Sequence, residues 1–472
     1  VNTPAQQWAV AAVIGAFLVL VAHQGSLLGI ERSFSPSSKD LAGVAEVRDL
    51  IRRRWVEAPK PGQLLDGALK GMASTLDPFS EFISAEQLQQ FEESTTGRFG
   101  GLGVWIQVEE GLVVVISPIE GTPAWEAGLL PGDKIHAVDG KPCEFASVSE
   151  AVQQLKGEIG TSVKLDVQHK GEERLVRLEV TRAQIQIHSV KGARLLDEEL
   201  GVGYLRITAF NSATLDEVRA AVKELGSLGL KALVLDLRGN PGGFLDQAVK
   251  VANLWLPKNA VVVRTWSREH GSYKDTVADG EQPLKGIPTA VLIDGGSASA
   301  SEVLGGALSD NGAATLVGTR SYGKGSVQTI LSVLGNQAQL KLTTQYYFTP
   351  KNRRIHRGEL GPEDKSWGLL PDLEVPVAQR RRWELSRAES DREMERLKAK
   401  ARNEAHEVPE QLHLEDPQVR AAFTHVVEQL GAELPQAVAD AARVTSAQGV
   451  APVETNTASV APVESETPAE GE

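Results

Sequence analysis

The stretch ALVLDLRGNPGGFLDQAVKVANLW, residues 232–255, decides the fold. Its first seven residues form an apolar run of strand length, GNPGG (239–243) is a turn, and the rest restarts with helical spacing. The pattern recurs downstream. TAVLIDGG (289–296) reads as strand and turn, SASASEVLGGALSD (297–310) as a helix, and TLVGTRSYGKGSV (315–327) as strand and loop. Upstream, Thr214 and Glu217 have capping-box spacing, with Leu215, Val218, Val222 and Leu225 on one helical face. Strands alternating with helices predict βαβ units and a largely parallel α/β sheet between about Gly203 and Tyr347. Ligands of such sheets sit at the carboxyl ends of the strands, where both glycine-rich turns fall.

The flanks differ in texture. Residues 40–96 read as a helical N-terminal region, with Leu64, Leu65, Leu69, Met72 and Leu76 at helical spacing until Asp77-Pro78 breaks the pattern. From Gly97 to Arg182, short β-branched runs punctuated by Gly and Pro predict a small β module with one helix at Ser149–Leu155. Residues 377–445 form a charged helical extension, ending in a second helix within DPQVRAAFTHVVEQLG. Residues 446–472 are a Pro/Ala/Glu/Thr tract that repeats APVE and is too poor in apolar surface to order itself. Near the start, Trp8 to Ala22 is uncharged and apolar, and with its continuation to Ile30 the segment 8–30 just reaches bilayer length. It reads as a membrane anchor or a signal segment, and either exports the remainder.

Composition mainly excludes. A single cysteine, Cys143, permits no internal disulfide and no zinc site on paired cysteines; we expect it to be a packing residue. The net charge of −13 argues against a nucleic-acid partner. Five Glu after Ser446 carry much of that imbalance, so it says little about partners.

Four features carry possible chemistry. Ser297, Ser299 and Ser301 lie where a strand meets a helix; Ser299 and Glu302 have the spacing of a helix cap, yet one hydroxyl on such a turn is also placed to act as a nucleophile. Lys324, between two glycines in RSYGKGS, is either a solvated turn residue or the base of a Ser–Lys pair, which requires it to be neutral. GNPGG either turns the chain or aims a backbone N–H at an oxyanion; no phosphate-binding glycine motif competes for it. Gly101, Leu102, Gly103 and Val104 form a loop whose N–H groups suit a peptide's terminal carboxylate.

Together these blocks resemble the carboxyl-terminal processing peptidases, or tail-specific proteases. The resemblance runs from about Leu65 to Pro376 through GMASTLDPFSEFI, GRFGGLGV, SPIEGTPAWEAGLLPGDKIHAVDG, LKGEIGTSV, GYLRITAF, LVLDLRGNPGG, GGSASASE, VGTRSYGKGSVQ, YYFTPKNRRIH and GLLPDLEV, in the family's order. It implies a crotonase/Clp-like α/β peptidase core at 184–376 with an inserted PDZ domain at 97–183. It further implies Ser299 as nucleophile, Lys324 as base, Gln328 as the residue orienting that lysine, and the N–H groups of Ala300 and Gly242 as oxyanion donors. Two departures stand out. Phe79 replaces a common His, and Lys156 replaces a common Arg, which bears on any coupling of the PDZ domain to the active site through a guanidinium.

The expected protein is thus a serine endopeptidase of the bacterial cell envelope that needs no cofactor and acts on protein substrates with exposed C-terminal tails. Rival readings are a PDZ adaptor on an inactive scaffold and an acyl-CoA enzyme. The helices after Pro376 are candidates for pairing between subunits.

Overall fold

The computed structural model describes residues 38–382 except 120, 359, 362, 365 and 379, a scatter of positions from 384 to 399, and residues 412–447. The segment 8–30 and nearly all of the 446–472 tract lie outside the described residues. Among the described residues no helix is long and apolar enough to cross a membrane.

The chain divides into two compact units after Ser84. The first holds helices Ser38–Arg54 and Gln63–Ser74 and the short strand Glu81–Ile83. Asp77 ends the helical pattern as a turn residue, its carboxylate accepting the N–H groups of Phe79 (2.7 Å) and Ser80 (2.9 Å). Where the sequence suggested one helical region over 40–96, its last helix, Leu88–Thr96, belongs to the second unit.

In the second unit, Arg98–Gly101 pairs antiparallel with Ala183–Gln186, so the β module leaves and rejoins the chain through a two-stranded ribbon. The module is an antiparallel sheet that includes Val104–Glu109, Leu112–Pro118, Lys134–Val138, Ser162–Gln168 and Leu175–Thr181. Helix Val148–Leu155, capped by Ser147, matches the sequence expectation within a residue, and Cys143 is buried in the module's core.

The core sheet has six strands. Val190–Asp197 runs antiparallel to Val202–Ile207, and the strands Ala232–Asp236, Thr289–Ile293, Thr315–Gly318 and Leu373–Glu374 follow in parallel order. A parallel sheet must be covered on both faces, and alternation along the strands supplies two apolar surfaces. Leu233 and Leu235 pack with helices Thr214–Ser227, Leu245–Ala252 and Ala300–Asp310. Ala232 and Val234 face the opposite way, onto Val419, Ala422, Phe423, Val426 and Val427 of helix Pro417–Gln429. The apolar face of that helix is therefore covered within its own chain. Complete burial of those five side chains contributes about 1.5–3 kcal/mol for each large one.

A second difference concerns Thr214 and Glu217. The helix begins at Thr214, but the Glu217 carboxylate accepts from Ser189 and Val190 of the neighbouring segment (2.7 and 3.0 Å) instead of closing a capping box. Beyond the sheet, Ser326–Val333 and Ala338–Phe348 form a long antiparallel hairpin, and Ala338–Phe348 also pairs with Val261–Ser267.

Candidate active site

The turn after strand Thr289–Ile293 carries three serines, and their surroundings separate them. Ser297 Oγ donates to the Leu237 carbonyl (2.8 Å) and Ser301 Oγ to the Asn240 carbonyl (3.0 Å), both fully buried. Ser299 is half-buried and sits at φ 56°, ψ −116°, a conformation that disfavours any side chain. It is the serine turned to the site, at the head of helix Ala300–Asp310.

The turn is fastened to GNPGG. The Ala298 N–H donates to the Asn240 carbonyl (2.9 Å), and Gly239 and Gly296 both donate to Asp294 Oδ1 (2.9 Å each). A Cβ on Gly242 would lie 2.8 Å from the Ala298 carbonyl oxygen and 2.9 Å from the Ala300 nitrogen, so only glycine fits against the serine turn. The Gly242 N–H, however, is already given to Asn240 Oδ1 at 2.8 Å. The sequence reading made this N–H an oxyanion donor; here Asn240 closes a local side-chain turn on it.

Glu302 joins this turn to the lysine loop. Its carboxyl is fully buried and accepts four donors: the Ser299 N–H (2.8 Å), the Lys324 N–H (2.9 Å), the Gly323 N–H (2.7 Å) and the Ser321 hydroxyl (2.5 Å). The Ser299 and Lys324 nitrogens share one oxygen, which holds them within about 6 Å of each other. The sequence reading saw Glu302 only as the far end of a cap; its links to residues 321–324 had no local signal. Across the lysine loop, a Cβ on Gly325 would meet the His356 nitrogen at 2.3 Å, so the loop is pressed flat and Lys324 remains half-buried. Tyr347, absent from the sequence reading, is buried here as well. Its hydroxyl donates to the Lys324 carbonyl, while burial and the nearby Glu302 raise its phenol well above the usual value, against a smaller lowering effect of Ser299. Gln328 directs its amide N–H groups to Ser326 Oγ (3.0 Å) and Thr343 Oγ1 (3.1 Å).

Burial raises the Glu302 carboxyl from 4.5 to about 7, against the pull of its four donors. A folded-state value above the unfolded one means that the native protein holds the extra proton between about pH 4.5 and 7, so stability falls as pH rises through that window. In denaturant titrations, the slope due to this group is expected to approach about 1.4 kcal/mol per pH unit within the window. That component should vanish in Glu302→Gln; an identical pH dependence in both proteins would refute the assignment.

In the β module, Gly101 ends its ribbon strand and Leu102 is buried. The Leu102 carbonyl accepts from Ala124 (2.8 Å) and the Gly103 carbonyl from Ile119 (2.8 Å), which fixes the loop ahead of Val104. Lys156 forms an ion pair with Glu93 (2.9 Å) and lies over the Phe99 ring, at the ribbon joining module and core.

A sheet of this topology with a serine turn and a lysine loop at its carboxyl edge, preceded by a PDZ-like module, defines an α/β peptidase class. Residues 201–375 match the model of peptidase family S41, and residues 100–180 match that of the PDZ domain. The chain is 37% identical over 372 residues to a carboxy-terminal-processing protease of Bartonella bacilliformis, covering 77% of this chain and 81% of that one. It is 32% identical over 363 residues to the carboxy-terminal processing protease CtpA of Bacillus subtilis, covering 77% and 76%. Among solved structures, it is similar to a photosystem II D1 C-terminal processing protease, with 28% identity, a TM-score of 0.41, and coverage of 70% of this chain and 86% of that one. The chain belongs to peptidase family S41 and is a carboxy-terminal processing serine protease.

Proposed function

We propose that the protein is an endopeptidase of the cell envelope, built on a crotonase-like core, in which Ser299 and Lys324 form the catalytic dyad. The observation that carries this reading is the Glu302 carboxylate, which binds the backbone N–H of both residues and so sets them opposite each other. Neutral Lys324 accepts the Ser299 proton as Oγ attacks the scissile carbonyl, then returns it to the leaving amine. Water, deprotonated by the same lysine, hydrolyses the acyl-enzyme. Gln328, its amide N–H groups held by Ser326 and Thr343, orients Lys324. The oxyanion is bound by the Ala300 N–H and by GNPGG; with the Gly242 N–H committed to Asn240, we assign the second donor to its neighbour Gly243.

The PDZ module receives the substrate's carboxyl terminus at Gly101–Val104 and presents the adjoining tail, as an extended chain, to the core. An unstructured peptide with a free carboxyl terminus is expected to be cleaved with a kcat/KM about tenfold or more above that of its C-terminal amide, since one charge-assisted contact is lost. Equal rates for the two peptides would remove the carboxylate from recognition.

A further inference from the structure

We propose that Asp416 and Gln418, at the head of the C-terminal helix, are positioning residues for the oxyanion turn and act through Arg238; the inference rests on the Ser299 reading above. Arg238 immediately precedes GNPGG. Its guanidinium is held on both sides: Nη2 donates to Asp236 Oδ2 (2.6 Å), while Nη1 donates to Asp416 Oδ2 (2.8 Å) and Gln418 Oε1 (3.0 Å). The Arg238 and Asp416 side chains are only 14% and 4% exposed, so neither charge can turn to water. Asp416 divides its carboxylate, with Oδ1 capping the helix at the Gln418 and Val419 N–H groups and Oδ2 taking Arg238. Gln418 also donates to the Val375 carbonyl (2.9 Å), at the end of the peptidase core.

The C-terminal helix therefore does more than cover the second face of the sheet. It clamps the side chain immediately before the turn that packs on Ser299, from a point 178 residues further along the chain. Releasing the clamp leaves Arg238 held by Asp236 alone, and the turn is free to shift relative to the nucleophile. A displacement of about 1 Å in such a constellation costs on the order of 100-fold in rate.

The test uses full-length protein carrying Asp416→Asn, which keeps a good helix cap but removes the charge. We expect kcat on an unstructured peptide to fall about 10- to 100-fold with KM within about twofold of wild type and an unchanged circular dichroism spectrum. Unchanged kcat, or a matching change in KM, overturns the proposal. Should Asp416→Asn fail to fold, Gln418→Met, which keeps the volume and removes the acceptor, is judged by the same division between kcat and KM. Ser299→Ala runs in parallel. If it still cleaves, the dyad reading fails; if it is inactive while Asp416→Asn is fully active, only the positioning role fails.

Discussion

Replacing Ser299 by glycine is expected to give a protein that unfolds at higher temperature and cleaves nothing. At φ 56° and ψ −116° the serine side chain is held in a backbone conformation that costs about 1–3 kcal/mol, and glycine adopts it freely. Part of that gain is returned as unfolded-state entropy, about 0.5–1 kcal/mol, so the net stabilisation is about 1 kcal/mol, or a few degrees in Tm. Turnover should fall by about 10⁴-fold or more, because the proposed nucleophile is gone. Ser299→Ala loses the same activity without the gain in stability. A Ser299→Gly protein that melts lower than wild type would mean that the turn is not strained at this residue.

Lys324→Arg should be as inactive as Lys324→Met, with each losing about 10³- to 10⁴-fold in kcat/KM. Arginine retains the positive charge and much of the length, but it does not release a proton at any accessible pH. The pair therefore separates a base from an electrostatic role. Activity near the wild-type level in Lys324→Arg would show that the charge is what the site needs.

Much of the core was legible because its signals are local. The apolar run 232–238, its glycine turn and the helix after it are one continuous stretch, and the unit at 289–310 repeats the pattern. The serine cluster and the lysine between glycines were visible in local spacing, but Ser299 and Lys324 were singled out only by the family resemblance. What escaped was every feature joining distant segments. Glu302 has the spacing of a cap, and its contacts with Ser321, Gly323 and Lys324 exist only once the loop folds over the helix. Tyr347 is one aromatic among several in a strand pattern. The helix within DPQVRAAFTHVVEQLG was legible, but not its place against the sheet, where Pro417–Gln429 supplies the cover that a parallel sheet requires on its second face. The Gly242 N–H illustrates a subtler limit. The resemblance puts a glycine beside Ser299, but the partner of its N–H is set by the Asn240 side chain.

The most direct test of the central claim is a time course, followed by mass spectrometry, of an unstructured polypeptide incubated with purified wild-type protein and with Ser299→Ala. Internal cleavage by the wild type, with product formation reduced about 10⁴-fold or more in the variant, is the predicted result. Comparable cleavage by both proteins would place the nucleophile elsewhere and contradict the account.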